Sequence, residues 1–377
     1  MTLPLRDAIL LTPGPLTTTL ATKTAMLRDW GSWDGEFNAL TADVCRRLLA
    51  IAEGDAAFAC IPLQGSGSFA VEAAIGSLVP RDGKLLVLVN GAYGQRMARM
   101  ATTIGRHCTT LDFGESKPVD PAWVARTLAE DPAVTQVGLV HCETSTGILN
   151  PLAEVAAAVA AAGRRLIVDA MSSFGALPIR VDAAPIDAVI ASANKCLEGV
   201  PGMAFVIARR QALRAAEGQA HSLCLDLQDQ LNTLERSGQW RYTPPTHVLA
   251  ALQAALLQFD AEGGRAGRLG RYQRNCDRLL DGLRALGLRT YLPSAWQAPI
   301  IVTVHAPDDD RWHFGAFYAH CKAAGFILYP GKLTTAETFR IGCIGAIGDA
   351  EIDGALAALG RALAALGLPP PPTPPDA

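Results

Sequence analysis

Short apolar runs recur through the middle of the chain, separated by polar and glycine-containing segments. Each run is rich in Val, Ile and Leu and lacks the alternation of a half-exposed strand. Because both faces of such a strand are apolar, the pattern predicts a parallel sheet that helices cover on both sides. The predicted strands span residues 84–90, 136–142, 165–170 and 187–192, with a further strand-like run at 57–63.

The segments between these runs have helical composition and spacing. The predicted helices span residues 69–79, 92–104, 122–130 and 152–162. Strand and helix alternating several times is typical of a doubly wound α/β domain, in which a mainly parallel sheet is flanked by helices.

Beyond residue 211 the pattern changes. Residues 246–286 are predicted to be helical, with an interruption at Gly263 and Gly264. Strand-like runs at 300–304, 326–329 and 339–341 and helices near 312–324 and 349–366 then predict a smaller C-terminal α+β domain. We expect a large domain over 16–258, a small domain over 1–15 and 259–368, and a disordered proline-rich tail over 369–377.

The composition argues against several classes of protein. The 33 basic and 36 acidic residues give a net charge of −3, which argues against a nucleic-acid partner. No apolar run reaches the length of a membrane helix, and no basic segment precedes the first short apolar stretch, so neither a membrane span nor a targeting signal is expected. The nine cysteines are scattered without a C-x-x-C pair, which predicts no metal site and favours reduced thiols in a cytoplasmic protein.

Candidate chemistry lies where three of the predicted strands end. Residues 64–68 (QGSGS) stand between a strand-like run and a helix, where glycines and free N–H groups can hold a phosphate. Asp169 and Lys195 each follow an apolar strand, at the sheet edge where open α/β sheets bind ligands. Taken singly, these features also fit a structural turn, a helix cap and a surface lysine. The glycines also match a dinucleotide fingerprint, but that reading needs an acidic residue at the end of the next strand, which ends in Asn90. Together, a phosphate cradle, a carboxylate and an amine are what pyridoxal 5′-phosphate requires.

Several motifs resemble those of the fold-type I, class V aminotransferases, which depend on pyridoxal phosphate. These motifs are residues 12–15 (TPGP), 64–68 (QGSGS), 90–94 (NGAYG), 141–147 (HCETSTG), 168–175 (VDAMSSFG), 192–195 (SANK) and 242–246 (YTPPT). Within that class, residues 29–38 (DWGSWDGEFN), 192–202 (SANKCLEGVPG), 329–332 (YPGK) and 339–345 (FRIGCIG) are similar to the group that transfers the amino group of 2-aminoethylphosphonate to pyruvate. The resemblance extends over about residues 8 to 366.

The resemblance implies roles for individual residues. Lys195 would form a Schiff base with the cofactor and then act as the acid and base, while Asp169 would keep the pyridine nitrogen protonated. Tyr93 corresponds to the aromatic residue that stacks on the ring, and Thr144 to the hydroxyl residue near its phenolic oxygen. The phosphate would be held by Ser66, Gly67, Ser68 and Ser192, with Asn194 as a further candidate.

The resemblance also implies the substrates and the assembly. Arg340 is expected to bind the anionic group of the substrate, and Pro13 and Gly14 to lie at the mouth of the site. Thr243 would reach the phosphate bound by a second subunit, which implies a homodimer. The expected activity converts 2-aminoethylphosphonate and pyruvate to phosphonoacetaldehyde and L-alanine in phosphonate catabolism. A class V enzyme acting on α-amino acids, of the serine– or alanine–glyoxylate type, remains the alternative.

Overall fold

The computed structural model describes residues 7–182, 185–333 and 335–368. The expected disordered tail at 369–377 lies outside the described residues. The strands are β1 (Ile9–Leu10), β2 (Phe58–Gln64), β3 (Lys84–Val89), β4 (His107–Asp112), β5 (Val134–Val140), β6 (Cys142–Glu143), β7 (Ile148–Leu149), β8 (Arg165–Asp169), β9 (Ile186–Ser192), β10 (Met203–Arg209), β11 (Ile301–His305), β12 (Phe326–Ile327), β13 (Tyr329–Pro330) and β14 (Thr338–Gly342).

Helices fill most of the connections between these strands. They are α1 (Leu20–Thr24), α2 (Gly35–Ile51), α3 (Gly67–Leu78), α4 (Ala92–Thr103), α5 (Pro121–Glu130), α6 (Leu152–Ala161), α7 (Arg210–Ala215), α8 (Leu227–Ser237), α9 (Thr246–Ala261), α10 (Gly264–Ala285), α11 (Phe314–Ala323) and α12 (Asp349–Ala365). The interruption predicted at Gly263 and Gly264 separates α9 from α10, and both glycines have a positive φ, at 96° and 64°. Such backbone angles favour glycine and end the first helix there.

A seven-stranded sheet forms the centre of the molecule, in the order β2-β10-β9-β8-β5-β3-β4. The pairs β9-β8, β8-β5, β5-β3 and β3-β4 are parallel, whereas β10 runs antiparallel to both β9 and β2. All strands except β10 therefore end at the same edge of the sheet. This mainly parallel sheet with helices on both sides confirms the predicted α/β class.

Strand β10 was not among the strands predicted from the pattern. It follows β9 through a short loop, residues 193–202, that contains no helix. Parallel neighbours need a longer crossover, usually with a helix, so a connection of this kind returns the chain in the opposite direction.

The side chains of the sheet alternate between two cores, as the period of a strand requires. In β9, Val189 and Ala191 pack in the core with α2, α5, α6 and α9, whereas Ala188 and Ile190 pack in the core with α3, α4, α7 and α8. Near-continuous apolar strands are thus explained by burial on both faces.

A third core lies in the C-terminal part of the chain. It groups Leu11 with buried residues between Cys276 and Leu363, and includes residues of β11 and β14 from the antiparallel sheet β11-β14-β13. On this grouping we propose the division expected from the sequence, with residues 16–258 in a large domain and the remaining described residues in a small one. A smaller cluster, which contains Leu16, Cys196, Tyr272 and Ile344, joins the two.

Among the helices of the described residues, none combines the length and hydropathy needed to cross a membrane.

Candidate active site

The turn between β2 and α3 presents backbone N–H groups at the carboxyl edge of the large sheet. Gly65 has a φ of 123° and its N–H donates to the carbonyl of Gly202 at 3.0 Å. Ser66 is the N-cap of α3 and makes no side-chain capping hydrogen bond. A Cβ atom at Gly67 would lie 2.3 Å from Sδ of Met171, so a larger residue would have to displace this flexible side chain, which lines the same cavity. The turn therefore offers a helix N-terminus, with its positive dipole end, to an anion.

Asp169 is the last residue of β8 and lies at the same edge of the sheet. Its side chain is buried, and Oδ1 accepts a hydrogen bond from the backbone N–H of Met171 at 2.9 Å. Burial raises the pKa of this carboxyl to about 6. A desolvated carboxylate of this kind gains most from a cationic partner, such as a protonated ring nitrogen.

Lys195 follows β9 in a turn, and its side chain reaches the N-terminal segment of the chain. Nζ donates to the carbonyl of Pro13 at 2.6 Å, and a Cβ atom at Gly14 would lie 2.5 Å from Cδ of Lys195. This segment is held against β14 because the N–H of Gly342 donates to the carbonyl of Leu11 at 2.9 Å. Burial lowers the pKa of the Lys195 amine, which favours the neutral, nucleophilic form.

Arg340 connects the two domains at the site. It lies in β14, is 5% exposed, and donates from Nη1 to the carbonyl of Thr144 at 2.9 Å and from Nε to the carbonyl of Pro330 at 3.0 Å. Burial lowers the pKa of its guanidinium. A buried arginine held by two carbonyl groups is a fixed positive charge beside Thr144.

One cavity, of about 210 Å³, brings most of the predicted residues together. Those that line it are Ser66, Gly67, Ser68, Tyr93, Thr144, Asp169, Ser192, Asn194 and Lys195. Pro13, Gly14 and Arg340 border it through their contacts with Lys195 and Thr144. Thr243 is exposed and does not line the cavity of its own chain, as the expected role in a second subunit requires. That role stays a prediction.

Glu143 is a residue of the site to which the sequence analysis assigned no role. It is completely buried, and Oε2 accepts hydrogen bonds from the N–H groups of Tyr93 at 3.1 Å and Gly94 at 3.3 Å. Oε1 accepts from the N–H of Ser145 at 3.1 Å and from its hydroxyl at 2.6 Å. Gly91, the N-cap residue of α4, has no side chain that could accept a hydrogen bond, so Glu143 caps the helix from strand β6. It thereby fixes the helical turn that carries Tyr93.

Two further basic residues lie close to Tyr93. The guanidinium of Arg96 is 5.0 Å from the ring centroid of Tyr93 and also donates to Oγ of Ser68 at 3.4 Å. Nζ of Lys332 is 4.4 Å from the same centroid. Arg96 follows Tyr93 by three residues in α4, so helical spacing could have indicated it. Lys332 lies within the motif at residues 329–332 (YPGK), but no pattern along the chain indicates that it contacts Tyr93.

The loop that carries Lys195 is anchored from behind by α10. Arg268, 1% exposed, donates to the carbonyl of Cys196, and the hydroxyl of Tyr272 donates to Oε1 of Glu198 at 2.6 Å. The Tyr272 oxygen also accepts from the N–H of Gly345 at 3.3 Å. The position of the lysine loop is therefore tied to the small-domain loop that follows β14.

The side chains of the cavity fit pyridoxal phosphate. The helix N-terminus suits its phosphate, the buried Asp169 its ring nitrogen, and the Lys195 amine its aldehyde. The tight space around Gly67 and Gly14 indicates a cradle in which backbone approaches the bound group closely.

Comparisons with known proteins agree with this fit. The profile of the family described as aminotransferase class-V matches residues 53–311. A relative from Pseudomonas entomophila (strain L48), named 2-aminoethylphosphonate–pyruvate transaminase, is 61% identical over 355 residues, which cover 94% of this chain and 96% of that protein.

Solved structures give the same result at lower identity. The crystal structure of pyridoxamine–pyruvate aminotransferase from Mesorhizobium loti superposes with a TM-score of 0.88 at 26% identity, covering 97% of this chain and 95% of the other. Alanine–glyoxylate aminotransferase from Nostoc sp. gives a TM-score of 0.88 at 26% identity, covering 96% of this chain and 97% of the other. The family and the fold predicted from the motifs are confirmed: the chain belongs to the class V aminotransferases.

Proposed function

We propose that this protein is a pyridoxal phosphate-dependent transaminase that converts 2-aminoethylphosphonate and pyruvate to phosphonoacetaldehyde and L-alanine, a reaction of phosphonate catabolism. The observation that carries the proposal is the 61% identity, over nearly the whole chain, to a relative with that name. The alanine–glyoxylate aminotransferase fold match, at 26% identity, supports the alternative much less.

The chain's own residues would divide the work of holding the cofactor. The N–H groups of Ser66, Gly67 and Ser68 would bind its phosphate, and Asp169 would pair with its protonated ring nitrogen. Tyr93 would pack against the ring, with Thr144 and Ser192 as hydroxyl partners at either end. Pyridoxal phosphate, when bound, supplies an aldehyde that takes up the amino group and a ring that withdraws electrons from the neighbouring carbon.

Lys195 and Arg340 would then act on the substrate. Arg340 would bind its anionic end and orient the carbon that bears the amino group toward Nζ of Lys195. Because burial lowers the pKa of this amine, Lys195 would be available as a base for the proton of that carbon. Domain-spanning contacts of Arg340 and Pro13 would exclude water from the same space.

Conversion of the holoenzyme to its pyridoxamine form tests the proposal. Single-turnover reactions with 2-aminoethylphosphonate, L-alanine and L-serine are followed by loss of the visible absorbance of the lysine-bound cofactor. We expect fast conversion with 2-aminoethylphosphonate and recovery with pyruvate, and no visible band in Lys195→Ala. Preference for L-serine with recovery by glyoxylate would overturn the proposal in favour of the alternative.

We also propose a homodimer in which Thr243 completes the partner subunit's site. Large apolar side chains are exposed near this residue, with Leu27 83% and Tyr242 49% exposed. A hydrogen bond of 3.1 Å from His247 to Asp29 holds the two segments that carry them together. Burial of these side chains against a second subunit would remove apolar surface from water, which supports the proposed dimer. The proposal would be contradicted by a holoenzyme that is monomeric in sedimentation equilibrium and fully active in the transamination assay. The expected cytoplasmic location stays a prediction.

A further inference from the structure

The hairpin of β13 and β14 places a second basic residue near Arg340. Tyr329 is opposite Arg340 in this hairpin, and the N–H of Gly331 donates to the carbonyl of Thr338 at 2.8 Å. A Cβ atom at Gly331 would lie 2.2 Å from the Thr338 hydroxyl, so the two sides of the hairpin approach closely here. Lys332 comes next, and its Nζ lies 4.4 Å from the ring centroid of Tyr93.

Tyr93 connects this lysine to the active site. Its ring lines the cavity that also contains Lys195 and Asp169. Arg340 approaches the same cavity through its hydrogen bond to the Thr144 carbonyl, at 2.9 Å. Lys332 and Arg340 do not line the cavity themselves, but each contacts a residue that does.

Among the described residues, neither of these two cations forms an ion pair with a carboxylate. In the part of the chain that the structure describes, the ion pairs within 4.0 Å involve neither Lys332 nor Arg340. The two hydrogen bonds of Arg340 to carbonyl groups use Nε and Nη1, and neither uses Nη2. Two uncompensated cations beside one cavity favour a ligand that carries two negative charges.

We propose that Lys332 is a specificity-determining residue that, with Arg340, selects a phosphonate over a carboxylate. The inference rests on the proposed function and deepens it. A carboxylate has one charge and two oxygens in a plane, which a single guanidinium can bind through parallel hydrogen bonds. A phosphonate has three oxygens and can carry two charges, so a second cation adds more binding energy for this group than for a carboxylate. A lysine ammonium suits this task because it acts as a point charge on a flexible stem.

Paired substrates of the proposed reaction provide the test. The holoenzymes of the wild type, Lys332→Met and Lys332→Arg are assayed with 2-aminoethylphosphonate and, in the reverse direction, with L-alanine. Loss of one charge-assisted contact predicts that Lys332→Met lowers kcat/KM for 2-aminoethylphosphonate by about tenfold to a hundredfold, mainly through KM. We expect less than about a threefold change with L-alanine, and Lys332→Arg to keep most of the phosphonate activity. Lys322→Met, at an exposed position of α11, is the matched control.

Binding of unreactive analogues gives a second readout. Calorimetric titration of the holoenzymes with ethylphosphonate and with propionate should show that Lys332→Met weakens only the first. Equal losses for both ligands, or no loss for ethylphosphonate, would overturn the inference. A wild type that does not convert 2-aminoethylphosphonate would refute the proposed function, and the ethylphosphonate titration would still decide the role of Lys332.

Discussion

Replacing Glu143 by glutamine should show how much the position of Tyr93 contributes to cofactor binding, because the other predicted cofactor-binding residues are unchanged. The carboxylate accepts four hydrogen bonds, two at Oε2 from the first turn of α4 and two at Oε1 from Ser145. All four partners are donors, so the site is built for an ion. A glutamine of the same shape must turn its amide nitrogen toward one of the two pairs.

The magnitude follows from these contacts. A glutamine whose amide nitrogen faces α4 leaves two buried N–H groups without an acceptor, whereas one whose amide nitrogen faces Ser145 leaves one, because the Ser145 hydroxyl can also accept. Each buried donor left without an acceptor costs about 1–3 kcal/mol. The variant no longer buries a charge, which offsets part of this loss, because burial raises the pKa of Glu143 and thus disfavours its ionised form. We expect a net loss of about 1–3 kcal/mol in the free energy of unfolding. If the first turn of α4 moves, the contact of Tyr93 with the cofactor weakens, and each 1.4 kcal/mol is tenfold in the dissociation constant.

The assay combines stability with cofactor binding. Urea unfolding of the apoprotein gives the stability loss, while equilibrium dialysis and near-ultraviolet circular dichroism report how pyridoxal phosphate is held. Ser145→Ala is the control, because it removes the hydroxyl that donates to Glu143 and accepts from the N–H of Ala92 at 3.3 Å. It leaves both bonds of Oε2 to α4 in place.

Glu143→Gln should therefore weaken cofactor binding by up to about tenfold and alter its dichroism, whereas Ser145→Ala should lose about 1 kcal/mol of stability with little change in binding. A Glu143→Gln protein that unfolds more easily but holds the cofactor with wild-type affinity and dichroism would refute the positioning role. Glu143 would then support the fold alone.

Three further changes test other parts of the site. Gly67→Ala places a Cβ atom 2.3 Å from Sδ of Met171, a flexible side chain that lines the cavity and must shift, so we expect about threefold weaker cofactor binding in equilibrium dialysis; Gly35→Ala, also at the first position of a helix but in open space, should bind normally. Tyr272→Phe removes the hydrogen bond to the Glu198 carboxylate and should lower the free energy of unfolding in urea by about 1.5–3 kcal/mol; an unchanged midpoint and slope would show that the contact contributes nothing. Burial lowers the pKa of His141 to about 4, so the folded state stays neutral while the unfolded state gains a proton near pH 6.5. Stability should fall by about 2–3 kcal/mol between pH 7 and pH 4.5 from this residue, and His141→Asn should remove that part of the slope.

The strands of the large sheet, and the strand ends that carry the site residues, were predictable because the sequence patterns that mark them are local. Apolar runs bounded by glycine or polar residues marked β3, β5, β8 and β9, and the residues just beyond the strands supplied Asp169 and Lys195. A parallel sheet brings such strand ends to one edge without further information. The motif resemblance then added Tyr93, Thr144 and Arg340.

The remaining features depend on contacts between distant segments. Glu143 caps a helix that begins about fifty residues earlier, and its partners are backbone N–H groups that exist at every position of the chain. Strand β10 has the same apolar character as its neighbours, and only the length of its connection determines its direction. The place of Lys332 follows from a hairpin turn and from the approach of one domain to another, which no pattern along the chain records.

The charge of the site differs in sign from the net charge of the whole chain. The chain as a whole has a net charge of −3, yet four basic side chains converge on the cavity around Tyr93: Arg96, Lys195, Lys332 and Arg340. The two carboxylates nearby, Asp169 and Glu143, already accept hydrogen bonds from backbone N–H groups, and the second divides its four hydrogen bonds between α4 and Ser145. The cavity is therefore positive in a slightly acidic protein, and burial makes that charge costly until anions enter. A phosphate on the cofactor and a phosphonate on the substrate would each supply such an anion, so the same imbalance favours both the proposed cofactor and the proposed substrate.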